Sequence, residues 1–144
     1  MRPIRRGLAA IAATVSLLAV GCTDPPATPS TNAPFSETDL VLGTGATATA
    51  GGTLTVNYTG WFYDVTKADQ KGLQFDSSIG QAPFTFVLGS GQVIQGWEQG
   101  LAGMRVGGVR HLVIPPPLAY GNTRSGVVPP NTTLVFDITL LNVQ

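Results

Sequence analysis

The side chains able to do covalent or metal chemistry are few in this chain, and they are scattered. His111 is the only histidine and Cys22 the only cysteine. One cysteine allows no intramolecular disulfide, and no Cys/His cluster exists for zinc. A Ser–His–Asp triad needs a histidine beside a nucleophile. Nothing around Arg110-His111-Leu112 supplies one, and alternation along that segment places His111 on the outward side of a strand, as a solvated surface residue. Asp76, Glu98 and Asp137 stand singly, without the spacing of a metal loop or of a paired-carboxylate site. No metal and no cofactor is therefore expected. Gly43 to Ala48 fits a loose GxGxxA pattern, but Gly51-Gly52 and a strand follow it rather than a helix, so a phosphate would have no helix N-terminus to bind. The segment reads as a turn. Asn57-Tyr58-Thr59 and Asn131-Thr132-Thr133 match the glycosylation pattern, lie in or at strands, and read as coincidence.

What the chain does concentrate is aromatic carbon at turns and strand ends. Tyr58 stands in YTG, Phe75 in FDSS, Phe84 in PF, Trp97 in VIQGW, Tyr120 in LAYG and Phe136 in LVFD. Val93, Ile94, Val127 and Val128 lie close to them in sequence. Taken singly, Trp97 and Phe136 read equally well as core, and Asp76 as a turn cap with Ser77 and Ser78. If the set converges, it makes an apolar pocket. Such a pocket either catalyses a reaction that needs no nucleophile, metal or cofactor, or it only binds.

The elements that must position these residues are mostly strands. Glu37 to Leu42 is a modest first strand. Leu54, Val56 and Tyr58 alternate with polar neighbours at the period of a half-buried strand. Asp64 to Gly72 is polar and reads as a loop, and Gln74 to Ser77 and Phe84 to Leu88 are short strands. Gly96 to Met104 places Trp97, Leu101 and Met104 on one helical face. Two internal glycines weaken that helix on propensity, so packing must hold it. Val109 to Ile114 is a strand stopped by Pro115-Pro116-Pro117. Thr133 to Val143 is the longest strand, with Leu134, Phe136, Ile138 and Leu140 on one face. About five antiparallel strands covered by one short helix make an α+β fold, mostly β.

Composition agrees. Hydrophobic residues are 43% of 144, enough for a real core, and the 18 Gly and 11 Pro argue for turns and against a helical bundle. A formal net charge of zero leaves no basic footprint for nucleic acid. The N-terminus is a different kind of sequence. Arg2, Arg5 and Arg6 precede an apolar run from Leu8 to Val20, ending in Ala19-Val20-Gly21-Cys22. That layout reads as an export signal over residues 1–21. Cys22 after small residues resembles the bacterial lipobox, which implies that Cys22 is diacylated and becomes the new N-terminus. Ala19 stands where leucine is commonest. Two or more acyl chains make such anchoring stable. Cleavage there removes three arginines and no acidic residue, leaving a slightly acidic mature chain. Thr23 to Pro34, TDPPATPSTNAP, has the composition of an extended, disordered spacer, so residues 22–35 are expected to be a lipid-anchored linker and residues 36–144 the folded domain.

The longer motifs carry a resemblance. VNYTGWF at 56–62, LQFDSSIGQAPFTFVLGSGQVIQGWEQGLAGMRVGG at 73–108, HLVIPPPLAYG at 111–121 and VVPPNTTLVFDITLLNV at 127–143 stand in one order. Together they resemble the FKBP-type peptidyl-prolyl cis–trans isomerases over about residues 36 to 144. The resemblance implies a five-stranded antiparallel sheet wrapped around one short helix. It also implies a proline pocket with Trp97 as floor and Tyr58, Phe75 and Phe136 as walls, completed by Phe84, Val93, Ile94 and Tyr120. Asp76 would sit at the rim, hydrogen-bonded towards Tyr58. The Ile94 N–H and the Tyr120 hydroxyl would hold substrate carbonyls, and Val127 and Val128 would flank the entrance. Tyr58, Asp76, Tyr120 and Phe136 would be the catalytic set. The implied activity is isomerisation of peptide–proline bonds in exported or cell-surface polypeptides, by a monomer that macrolide immunosuppressants inhibit. The alternative is a proline-segment binding module or holdase without relevant catalysis. The chain departs from minimal members in a longer segment, YDVTKADQKGL, between Tyr58 and Phe75. It departs again at Gln81, where a basic residue is common, and the loop GNTRSG at 121–126 is short and carries no inserted flap domain.

Overall fold

A computed structural model describes residues 32–144. The export signal and most of the expected linker, with Cys22, lie outside the described residues. The strands are β1 (Ser36–Val41), β2 (Thr53–Tyr63), β3 (Lys71–Ser77), β4 (Phe84–Val87), β5 (Val109–Ile114) and β6 (Leu134–Val143). One helix, α1 (Gln95–Gly100), lies between β4 and β5, and a 3₁₀ turn, Pro116–Leu118, follows β5.

All strand pairs are antiparallel, in the order β1-β5-β6-β2-β3, with β4 also on β2. The long β2 is shared along its length. Its first half, Thr53 to Val56, pairs with β4, and its second half, Thr59 to Tyr63, pairs with β3. β3 and β4 thus occupy one edge position in tandem, so the five-stranded expectation describes the layout, with six strands among the described residues.

Alternation decides which face is buried. Leu112 and Ile114 on β5, and Leu134, Phe136, Ile138 and Leu140 on β6, are all at most 4% exposed and form one face. Trp97, Leu101 and Met104 close over it. The helix is shorter than its sequence pattern suggested. It ends at Gly100, and a turn in which the Met104 N–H donates to the Leu101 carbonyl brings Met104 into the core. Its two glycines have a steric reason. A Cβ on Gly100 would lie 2.6 Å from Leu112 Cδ2, and one on Gly96 would overlap Ile114. Lost helix propensity, about 1 kcal/mol per glycine, is exchanged for close approach of helix to sheet.

Arg110 is a buried cation that ties three elements. Its guanidinium donates to Asp39 of β1 at 2.6 and 3.1 Å and to the Gly100 carbonyl at the end of α1 at 2.8 Å. His111, expected as a solvated surface residue, is not one. Its side chain is only 15% exposed, and Nδ1 lies 2.7 Å from Asp137 Oδ1 on β6, the residue directly across the ladder. Lys71 Nζ donates to the other Asp137 oxygen at 2.6 Å and lies 4.6 Å from the centre of the Trp61 ring. Burial pushes the Asp137 carboxyl up, but hydrogen bonds from His111 and Lys71 and their charges outweigh it and hold the group below the usual range.

β3 begins at Lys71, three residues before the sequence pattern placed it, because the polar segment at 64–70 closes as a hairpin. The Asp64 N–H donates to the Gln70 carbonyl, and Asp64 Oδ1 accepts from the Thr66 N–H and hydroxyl at 2.9 and 2.6 Å. At the other end of the domain, Phe35 packs against the core and Thr133 Oγ1 donates to Asn32 Oδ1 at 3.1 Å.

Candidate active site

The aromatic residues converge. A cavity of about 360 Å³ is lined by Tyr58 from β2, Phe75 and Asp76 from β3 and Phe84 from β4. Val93 and Ile94 just before α1, Trp97 from α1, Tyr120 after the 3₁₀ turn and Phe136 from β6 complete it, together with Gln92. Nine of the eleven residues singled out for the pocket thus share one cavity. Val127 and Val128 do not line it: Val128 is 4% exposed and belongs to the core, while Val127 is 65% exposed. Gln92 carried no sequence signal, since a polar residue in a Gly/Ser loop resembles any solvated one. Its Oε1 accepts from the Val87 N–H at 2.9 Å, which ties the loop leading into α1 to β4. No residue of the long 63–73 segment lines the cavity.

The ring geometry is that of an edge-on cage. Trp97 meets Tyr58 at 5.1 Å and 74° and Phe136 at 5.4 Å and 88°. Phe75 meets Phe136 at 5.7 Å and 82° and is stacked from behind by Phe62 at 5.0 Å. Such pairs gain about 0.5–1.5 kcal/mol beyond area burial and hold the rings in place. The Trp97 indole N–H is buried and has no hydrogen-bond partner among the described residues. Gly60 admits the walls: a Cβ there would lie 2.7 Å from Phe136 Cε1 and 2.8 Å from Phe75 Cζ.

Polar groups at the rim are few and specific. The Tyr58 hydroxyl donates to Asp76 Oδ2 at 2.7 Å, and Asp76 Oδ1 accepts from the Ser77 N–H at 2.8 Å. Burial first, then the hydrogen bond and negative charge of Asp76, push the Tyr58 phenol up to about 12. Tyr58 is therefore a neutral donor at any physiological pH. The preceding loop is held by the helix itself: Glu98 accepts from the Gly91 N–H at 3.1 Å and from the Gly89 N–H. Ile94 sits at the N-cap position, where its carbonyl accepts from Trp97 and Glu98. Its own N–H has no hydrogen-bond partner among the described residues, and neither has the Tyr120 hydroxyl. The cavity thus combines aromatic walls, one carboxylate already engaged by Tyr58, and unengaged donors that include the Ile94 N–H and the Tyr120 hydroxyl.

An antiparallel sheet around a short helix, with an aromatic cavity between them and no nucleophile in it, defines the isomerase class that the motifs resemble. Comparison with known proteins agrees. The profile of the FKBP-type peptidyl-prolyl cis-trans isomerase family matches residues 45–141. An FK506-binding protein of Neisseria meningitidis serogroup B is 45% identical over 107 residues, 73% of this chain and 92% of that protein. Among solved structures, AtFKBP13 superposes with a TM-score of 0.63 at 35% identity, covering 76% of this chain and 93% of that one. FkpA from Escherichia coli superposes with a TM-score of 0.65 at 38% identity, and the match covers 76% of this chain but 48% of FkpA. The chain belongs to the FKBP-type peptidyl-prolyl cis–trans isomerase family.

Proposed function

We propose that the cavity accelerates cis–trans isomerisation of peptide–proline bonds by stabilising the twisted amide. The observation that carries this reading is the lining itself: six aromatic rings, one carboxylate already hydrogen-bonded to Tyr58, and unengaged donors, those of Ile94 and Tyr120 among them. A peptide bond resists rotation by about 18–20 kcal/mol because nitrogen and carbonyl share electrons. Rotation breaks that sharing and leaves a less polar carbonyl. A dry aromatic cavity disfavours the planar, more polar amide relative to the twisted one, and each 1.4 kcal/mol of that difference is about a factor of ten in rate. Trp97 takes the proline ring from below, with Tyr58, Phe75 and Phe136 beside it. The Ile94 N–H and the Tyr120 hydroxyl hold carbonyls of the chain on either side and so fix the part that does not turn. The Asp76 carboxylate, held at both oxygens, keeps the Tyr58 ring upright as a wall. No bond is made or broken, so no nucleophile, metal or cofactor is required.

The substrates in this reading are proline-containing polypeptides outside the cytoplasm, and the protein is a lipid-anchored monomer. Its support is the basic start, the apolar run and Cys22. Macrolide immunosuppressants, which fill the pocket of this family, are the matching inhibitors. The test is an isomerisation assay on a proline-containing peptide with and without such a macrolide. Turnover above the uncatalysed rate of about 10–100 s per event, abolished by the macrolide, is the expected result. Suppression of aggregation without turnover would replace catalysis by a binding role.

A further inference from the structure

Ser78 is one of three polar or charged residues that are buried among the described residues, at 6% exposure, and the mechanism above makes no use of it. It lies just beyond β3, where the β2–β3 ladder has ended. Its hydroxyl takes over the role of a ladder partner. Ser78 Oγ accepts from the Tyr58 N–H at 2.9 Å and donates to Asn57 Oδ1 at 3.1 Å. The Ser78 N–H donates to the Tyr58 carbonyl at 2.9 Å. Both backbone polar groups of Tyr58 therefore end on one serine. Ser77 reinforces the arrangement, its hydroxyl donating to the Tyr58 carbonyl at 3.2 Å while its N–H holds Asp76 Oδ1 at 2.8 Å.

These contacts close a ring. It runs from the Tyr58 hydroxyl to Asp76, through the backbone to Ser77 and Ser78, and back to the Tyr58 main chain. The distance between the phenol and the carboxylate is then set from both ends. We propose that Ser78 is a positioning residue for the isomerisation, holding the Tyr58 backbone so that its hydroxyl stays on Asp76 and its ring stays upright against the proline site. The proposal rests on the isomerase reading of the cavity. The hydroxyl group is the essential part, because an alanine at this position leaves the partly buried Tyr58 N–H with no acceptor from the β3 side, and that group cannot turn to another strand.

A purely structural serine would make a different set of changes from a positioning one. In Ser78→Ala the expected result is a fall in kcat of about three- to tenfold with KM within about twofold, because the loss is in the fixed geometry of a wall and not in contact area. The second readout does not depend on turnover. With ¹³C-labelled tyrosine, the titration midpoint of the Tyr58 phenol should fall from about 12 towards the ordinary 10.0 in Ser78→Ala, since the hydrogen bond to Asp76 contributes, after burial, to raising it. Should the alanine variant not fold, Ser78→Cys carries the same test, as a thiol fills the site but accepts only weakly. A folded variant with unchanged kcat and an unchanged Tyr58 midpoint overturns the proposal and leaves Ser78 a structural residue. Absence of turnover in the parent chain is a separate failure. It would remove the isomerase reading, while the Tyr58 titration would still report whether Ser78 positions the pair.

Discussion

Replacing Gly60 by alanine adds one methyl group between the two rings that wall the cavity. Its Cβ would fall 2.7 Å from Phe136 Cε1 and 2.8 Å from Phe75 Cζ, where ordinary contact begins at 3.4 Å. Each ring edge would need to retreat by roughly 0.7 Å, and neither has room. Phe75 is backed by Phe62 at 5.0 Å between centroids, and Phe136 by Trp97 at 5.4 Å. Overpacking of this kind costs about 1–3 kcal/mol of stability, or a Tm lowered by about 4–8 °C for each kcal/mol in a domain of this size. The effect on catalysis should be larger than that loss suggests. A displacement approaching 1 Å in a positioning surface can cost about a hundredfold, so kcat/KM should fall about 10- to 100-fold, equivalent to about 1.4–2.8 kcal/mol of barrier. The control is Gly45→Ala, where the new Cβ meets Val106 Cβ at 2.7 Å outside the cavity. It should lose comparable stability and keep kcat/KM within about twofold. Thermal melting and the peptide isomerisation assay, run on both variants well below their melting points, separate the two effects. A folded Gly60→Ala protein with parental kcat/KM would refute the idea that the placement of Phe75 and Phe136 matters to the reaction.

Tyr58 gives an alkaline signature. Its folded phenol, pushed up to about 12, lies above the ordinary 10.0, so its contribution to stability is complete below pH 10 and is lost as pH rises through 12. The parent should therefore destabilise across that window more steeply than Tyr58→Phe, as read by denaturant midpoints at successive pH values. Asp137 gives the opposite sign in acid. Its carboxyl is held below the ordinary 3.8, so the stability it contributes is present at neutral pH and disappears as pH falls through the folded value. Asp137→Asn should cost about 1–2 kcal/mol in urea unfolding at pH 7 and progressively less as pH falls below the ordinary carboxylate range, with cavity and turnover retained. Removing Arg110 as Arg110→Met leaves Asp39 and the Gly100 carbonyl without their donor. A loss of about 2–4 kcal/mol is expected by chemical denaturation, an outcome that unchanged stability would contradict. For the anchor, Cys22→Ser should move the protein from the membrane fraction to the soluble one, and persistence in the membrane would exclude acylation of that cysteine as the cause.

How the domain is built was legible where a local pattern meets a period. Alternation in Leu54-Thr55-Val56 and in Leu134 to Leu140 marks a strand with one buried face whatever its neighbours are, because side chains on a strand have only two directions. The weakness of α1 was also visible, as three glycines in the nine residues from Gly96 to Met104. Its cause was not, since it lies in Leu112 and Ile114, which the chain reaches only after another turn. The same limit explains His111. Its outward direction follows from alternation, but outward of a strand means solvated only if nothing else covers that face. Asp137 and Lys71 do cover it, and they come from strands 26 and 66 residues apart from their partners in the hydrogen-bonded pairs.

By itself, the sequence determined that the part from about residue 36 on is mostly β, and that its unusual chemistry is aromatic. It determined too that no metal, thiol or triad motif offers another route. These follow from residue types and short spacings, which need no knowledge of distant contacts. The ordered motif string added the family and the names of the pocket residues through resemblance. Tertiary structure alone decided that nine of those residues face one cavity and that Val128 instead belongs to the core. It also decided that Tyr58 and Asp76 meet at 2.7 Å, and that Gln92 and Ser78 brace what surrounds them. The physical reason is range. Propensity and periodicity act over a few residues, whereas a cavity wall is a packing relation among strands brought together only when the whole sheet closes on its helix.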